Sequence, residues 1–484
     1  MSRYRRELGG ARRTLACSAV LSLLAAATAA AQQEGSFVDR FRSSIAESVA
    51  PRWTGPRVPW PEPSARPRSG GVLRSMLYPV AVQIGSEAVD AEQARRVLAA
   101  LERAHAWLEE RGWPTPPPDG GYGGTAGFDL YVVDSIEGAA GEPEALEEEV
   151  EPLERWAAEG LDAPNAWAPL DAAITHARID ADLDPVRLDA CVLSVYVRAA
   201  LLAHDPAEAP AWRDATGDYV AWLATGQFGC SDAGLIRAQR EPWRTWIGHG
   251  APGHGGALFL AMLSARTDGL TGDFIRDLWS GAPQLTWEGE GLRAAPDMWQ
   301  VVHAVMEVGR DPLPRLLEEM AVARWFAGDP ERLSGAPLAI LREVPKDAVV
   351  PLVARTRWAD LPRRFEPHDL ELEPLGSAYL LVDTAEAPAG STLRIWLRGE
   401  YGVGWALNAV RLGAGGEERG RVRAPVRPRT PRSYIPLELT DGATAQVLVV
   451  VTNMGGRLVD ADAPNDQVRS FSVVFDKVEP GANE

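Results

Sequence analysis

At 484 residues the chain exceeds what one ordinary hydrophobic core organises, so two or three domains are expected. Hydrophobic and charged contents of 46% and 24% are globular values. A formal net charge of −18 argues against nucleic acid and against anionic membrane surfaces as partners, because both repel it.

The N-terminus sets the expected compartment. Arg3, Arg5, Arg6, Arg12 and Arg13 precede an apolar run over 15–31 that ends in small residues. Basic region, apolar region and A-x-A site together make a secretory signal peptide over 1–31, with cleavage after Ala31. Cys17 lies inside the apolar run without a leucine three residues earlier, which argues against a lipid anchor. No later run reaches the ~20 apolar residues that span a bilayer. The mature protein is therefore expected to be soluble and exported, to the periplasm, the outer surface or the medium. Cleavage leaves Cys191 and Cys230, and in an oxidising compartment such a pair is expected to form a disulfide.

Residues 32–71 turn proline-rich (PRWTGPRVPWPEPSARPRSGG) and suit an extended linker. Strand-like alternation follows at 77–85, and apolar residues at helical spacing over 91–113, with Gly112 as the stop. A glycine-rich loop leads to the strand FDLYVVD (128–134); a glutamate-rich insert at 142–154 reads as a solvated segment, and 172–179 as a further strand. From 185 to about 325 the pattern is helical, with helices predicted at 187–203, 211–225, 254–266, 271–280, 296–308 and 312–326. The loop GHGAPGHGG (248–256) interrupts them. From about Leu375 short β-branched runs recur between Gly, Pro, Asn and Asp, the pattern of a β-sandwich of about eight strands, with 345–374 as the junction. The expected organisation is an α+β domain over 72–345, a small N-terminal sheet plus a helical half, followed by an all-β sandwich domain over 346–480.

The segment CVLSVYVRAALLAHDPAEAPAWRDATGDYVAWLATGQFGC (191–230) reads as an apolar helix, a short acidic turn and a second helix. Several stretches within and around it stand out: PPPDGGYGG before DLYVVD, HDPAEAPAWRDAT at a helix start, HGGALFLAML and LLEEMAVARWF in the helical half, and LVVVTN in the sandwich. In that order, from about residue 78 to the C-terminus, the chain resembles the secreted bacterial metallopeptidase-like proteins of HExxH, gluzincin type. A zinc peptidase of that kind needs two imidazoles one helical turn apart, a carboxylate base beside the first, and a third ligand from another helix. Carried over by position, the first ligand falls on Ser194, the base on Val195, the second ligand on Arg198 and the carboxylate ligand near Asp214. Serine is a poor zinc ligand, valine takes no proton and arginine repels the cation. The resemblance implies zinc as the family's cofactor and a chain that lacks its ligands: a degenerate, catalytically inactive member, with no cofactor of its own.

Two other readings stay open. His249 and His254 in the glycine-rich loop, with Asp214 or Asp232 as a third donor, are the candidates for a relocated metal site; the plainer reading is a turn and a helix start. Asp214 and Asp218, one turn apart, suit acid/base chemistry of the glycosidase kind, or simply a solvated helix face. Trp212, Tyr219 and Trp222 are core by their spacing, whereas Trp243 and Trp246 beside Arg240 and Arg244 are placed on the former cleft. Three functions follow: a non-catalytic binding or structural protein, a hydrolase around Asp214, Asp218, His249 and His254, or a carbohydrate-binding or adhesion module led by the sandwich. The expected partner is a protein or glycan outside the cytoplasm.

Overall fold

The computed structural model describes residues 66–116, 124–134, 176–205, 208–246, 253–281, 285–288, 291–294, 297–308, 313–335, 339–367, 370–424, 431–439, 442–456 and 467–481. The signal peptide expected over 1–31, most of the linker over 32–71 and the insert at 142–154 lie outside the described residues. The chain is α+β: a mixed sheet, a helical body and a β-sandwich follow one another.

The first sheet orders β1 (Gly71–Arg74), β2 (Val80–Ile84), β3 (Phe128–Val133) and β4 (His176–Asp180) side by side. Strand β1 begins on the last residue assigned to the linker, so the proline-rich arm ends by pairing antiparallel with β2. Strands β2, β3 and β4 are parallel, and parallel neighbours need a crossover. Between β2 and β3 that crossover holds α1 (Ala91–Glu110). Asp90 starts the helix by accepting from the Glu92 and Gln93 backbone N–H groups, and Val97, Leu101, Ala104 and Leu108 form its buried stripe.

The helical body comprises α2 (Leu188–His204), α3 (Pro210–Thr225), α4 (Ala233–Arg240), α5 (Gly256–Thr267), α6 (Asp273–Gly281), α7 (Met298–Val308), α8 (Leu313–Trp325) and α9 (Ile340–Glu343). A hairpin of β5 (Leu285–Glu288) and β6 (Gly291–Ala294) separates α6 from α7. Helix α2 has almost no polar face, and residues on all its sides are buried. That composition suits a central helix, packed by α1 and the first sheet on one flank and by α3 on the other.

The sandwich pairs a four-stranded sheet, β13-β10-β15-β8, with a five-stranded one, β12-β11-β14-β9-β7. Its strands are β7 (Leu352–Arg357), β8 (Arg363–Phe365), β9 (Ser377–Asp383), β10 (Ser391–Gly399), β11 (Trp405–Leu412), β12 (Glu418–Ala424), β13 (Arg432–Leu439), β14 (Gln446–Asn453) and β15 (Phe471–Val478). The segment 345–374, expected as a junction, supplies β7 and β8, each the last strand of its sheet. The two sheets differ on their outer faces. Strands β9, β11 and β14 are buried on both sides because α8 covers them: Ala321, Val322 and Phe326 pack on Tyr379, Leu381, Val410 and Val450. The Tyr379 hydroxyl donates to the Ala321 carbonyl at 2.6 Å. Strands β10 and β13 instead alternate buried with accessible residues, leaving one face to solvent.

Glu318 is caught in the α8–sheet seam at 4% exposure. Burial, set against weaker support from Arg423 and Asn408, raises its carboxyl to about 7. In the folded chain it keeps a proton that the unfolded chain releases near its ordinary value. Stability from this group is therefore present below about pH 4.5 and is lost as pH rises through 7. Glu318→Gln is expected to stabilise the protein by roughly 2 kcal/mol at pH 8 and negligibly at pH 4.5, read by urea denaturation at both values. An equal effect at both would show that the carboxyl does not titrate in the seam.

Candidate functional site

Helices α2 and α3 run antiparallel and meet through two polar rungs. Ser194 Oγ donates to Asp218 Oδ1 at 2.9 Å, and one turn on Arg198 Nη2 pairs with Asp214 Oδ1 at 2.7 Å. The i, i+4 spacing on each helix makes this possible: both members of each pair project from one stripe, and the antiparallel register joins 194 with 218 and 198 with 214. Ser194 and Asp218 are buried, whereas the Arg198 and Asp214 side chains keep 13% and 17% of their exposure. Asp214 and Asp218 thus face α2, which corrects the expectation of a solvated face. Val195 points away from the rungs into the apolar core.

The helices approach closely because α3 carries Gly217. A Cβ there would lie 2.8 Å from the Ser194 carbonyl oxygen and from Arg198 Cγ, and 3.0 Å from Ser194 Oγ. Gly229 closes the other side: its Cβ would fall 2.3 Å from Asp218 Oδ1 and 3.3 Å from Ser194 Oγ. The segment carrying Gly229 is folded back by Gly226, which ends α3 with φ 79°. It is fastened by the Cys191–Cys230 disulfide and by Arg187, which pairs with Asp232 and donates to the Phe228 carbonyl. Asp232 is thereby engaged with Arg187 rather than turned to the glycine-rich loop.

His249 lies outside the described residues, and of His254 only the backbone is described, in a helical turn over Gly253–Gly255. Gly253 rests on α3: a Cβ there would lie 2.4 Å from the Ala211 carbonyl oxygen and 2.7 Å from Asp214 Cβ. The glycine-rich loop thus returns to α3 beside Asp214. Among the other histidines, His176 is buried on β4, where burial and then Arg66 and Arg178 push its imidazole down to about 3. It stays neutral at any physiological pH.

Trp212, Tyr219 and Trp222 are core, as their spacing predicts. Trp246 is a correction: it is 4% exposed and packed among Trp212, Phe259 and Trp299, not on a cleft wall. Trp243 packs against the sandwich core, and its carbonyl accepts from the Glu373 backbone N–H. Trp243 thereby joins the helical body to the sandwich.

Glu208 was not among the expected site residues. Its carboxylate accepts from the backbone N–H groups of Ala209 and Met298 at 2.9 and 2.6 Å, at the starts of α3 and α7. Burial, then Asp205 and Asp297, raise its carboxyl well above the usual range. Arg213, also buried, donates to the Glu208 carbonyl at 2.6 Å. The sequence signal was an acid just before an Ala-Pro helix start. Capping two helices accounts for this carboxylate.

Among the described residues, no three His, Cys, Asp or Glu side chains are grouped so as to hold a metal ion. Nor is any described helix long and apolar enough to cross a membrane.

Comparison with known proteins adds little. No family model matches the chain, and no curated protein matches it significantly. Among solved structures, the enzymatically active domain of bacteriophage CBA120 tailspike protein 4 aligns with 9% identity and a TM-score of 0.16 over 21% of this chain. The chain spans 14% of that protein's length.

Proposed function

We propose that this chain is an exported, non-catalytic metallopeptidase-like protein that acts by binding. The α2–α3 frame carries the reading. In the resemblance, the zinc ligands fall on Ser194, Arg198 and Asp214, and those side chains are here engaged in direct rungs between the two helices. Zinc needs three or four nitrogen, oxygen or sulfur donors at roughly 2.0–2.3 Å around a position of its own. A guanidinium supplies no donor pair and brings a positive charge, and Gly217 and Gly229 leave no room for a methyl group between the helices. The residues present do not fit the ion. With the hydrolytic centre replaced by a structural contact, what remains is a secreted scaffold with an open sheet face.

Metal analysis of the purified mature protein, after dialysis against zinc, tests this together with cleavage of an unfolded protein substrate. No stoichiometric zinc and no cleavage are expected. Stoichiometric zinc that disappears in His249→Ala/His254→Ala would overturn the reading in favour of a relocated hydrolase. The return of the glycine-rich loop to α3 beside Asp214 is the observation that favours that second reading.

A further inference from the structure

The open face of the sheet β13-β10-β15-β8 carries an ordered set of side chains. Register places Trp396 opposite Tyr434 and Arg398 opposite Arg432 across β10 and β13. Across β15 the aromatic row continues through Val474 to Arg364 on β8. Alternation brings Arg394, two residues from Trp396 on β10, to the same face on the other flank. The result is an aromatic row beside one cationic row, Arg398 and Arg432; on the other flank Arg394 lies opposite Asp476 of β15, and Arg364 pairs with Glu366. The Trp396 and Tyr434 rings stack at 5.1 Å between centroids, 29° apart in plane, and Tyr434 is 43% exposed. A concavity of about 580 Å³ lies over this face.

Stability of the fold does not account for the arrangement. Like charges directly opposite on neighbouring strands repel, and Arg398 faces Arg432 across such a pair. Neither guanidinium has an acidic partner among the described residues, in a chain with 67 acidic and 49 basic side chains. An anion laid over the face would relieve the repulsion and accept the planar forks bidentately. The stacked rings ask for more than an anion: a flat apolar surface beside fixed charges fits a ligand with an apolar face and anionic substituents.

We propose that this face binds an acidic polysaccharide, its pyranose rings lying on Trp396 and Tyr434 and its carboxylate or sulfate groups on Arg398 and Arg432. The inference rests on the reading of the chain as a binding protein and names its ligand class. A single-stranded nucleic acid also combines stacking rings with anions. The chain is read as exported, however, where acidic polysaccharides rather than single-stranded nucleic acids are the polyanions at hand, and the oligo-dT arm below checks that choice.

Isothermal titration of the full-length mature protein tests the proposal at low ionic strength, with a polyuronate, a sulfated glycosaminoglycan, neutral dextran and an oligo-dT strand as separate arms. Binding to the polyuronate or the sulfated polymer is expected, and which of the two binds assigns the anion; dextran and oligo-dT are expected to be silent. Trp396→Ala and Arg398→Ala/Arg432→Ala should each weaken binding by about tenfold or more, while circular dichroism and thermal unfolding stay near those of the parent chain. Silence with both acidic polymers overturns the proposal, as does binding that neither variant alters. Binding to oligo-dT alone replaces it with a nucleic-acid surface. Because metal content and peptidase activity are measured separately, a failure here leaves the non-catalytic reading standing, and zinc-dependent hydrolysis would leave this face to be judged by its own titration.

Discussion

Arg198→Ala is expected to destabilise the protein by about 3 kcal/mol at pH 7, measured by urea denaturation. The magnitude follows from where the pair sits. An exposed ion pair contributes ~0–1 kcal/mol, because water and salt already satisfy both charges. At 13% and 17% side-chain exposure, Arg198 and Asp214 lie largely out of water, and removing the guanidinium leaves a largely buried carboxylate without its ion-pair partner. Replacing both charges by apolar residues of similar size, Arg198→Met with Asp214→Leu, is expected to recover at least half of the loss, because no uncompensated charge remains. A catalytic or metal-binding Asp214 makes a different prediction: its carboxylate would tolerate the loss of Arg198, and the double replacement would be no better than the single one. The double-mutant cycle therefore weighs a structural rung against a working carboxylate without knowledge of any substrate.

The same pair shows what was legible in the sequence. Spacing on each helix put Ser194 and Arg198 on one stripe and Asp214 and Asp218 on another, since helical periodicity is a local property. The register that joins the stripes depends on the crossing of two helices, and Gly217 permits that crossing. A glycine within a helix costs roughly 1 kcal/mol relative to alanine, so it is a signal of close approach, although it does not say what approaches. Helices α1, α2, α3 and α5 were visible from their apolar spacing. Helix α4 and the β5–β6 hairpin were missed, being short elements between stronger signals. Strand β7 reads LVARTR, with arginines at the exposed positions of an edge strand, and so resembles a junction until β9 pairs with it in parallel.

The double burial of β9, β11 and β14 was written in their continuous apolar runs, SAYLLVD, WALNAVRL and QVLVVVTN, against the alternation of STLRIWLRG and RSYIPLEL. Those two patterns distinguish the sheet that lies under α8 from the sheet left open. The open one carries Trp396, Tyr434 and their arginines, and its cross-strand partners are set by the register of β10 against β13, which is not a local property of either strand.

The largest single loss is expected from Cys191→Ala/Cys230→Ala. The disulfide joins residues separated by 39 positions, and closing a loop of that length restricts the unfolded chain by ~4 kcal/mol in the chain-entropy account. For a chain of this size that loss corresponds to a fall of roughly 4 °C in the unfolding midpoint. The bridge also sits at the foot of the α2–α3 frame, where it fastens the segment that puts Gly229 against Asp218. These two contributions separate experimentally. A loss acting only through the unfolded chain adds to that of Arg198→Ala within ~0.5 kcal/mol, whereas a loss acting through the frame couples to it. Additivity is expected, since Arg187 holds the same segment through Asp232 and the Phe228 carbonyl when the bridge is cut. A stability unchanged in the double alanine variant, or free thiols at Cys191 and Cys230 in nonreducing mass mapping, would remove the bridge from this account.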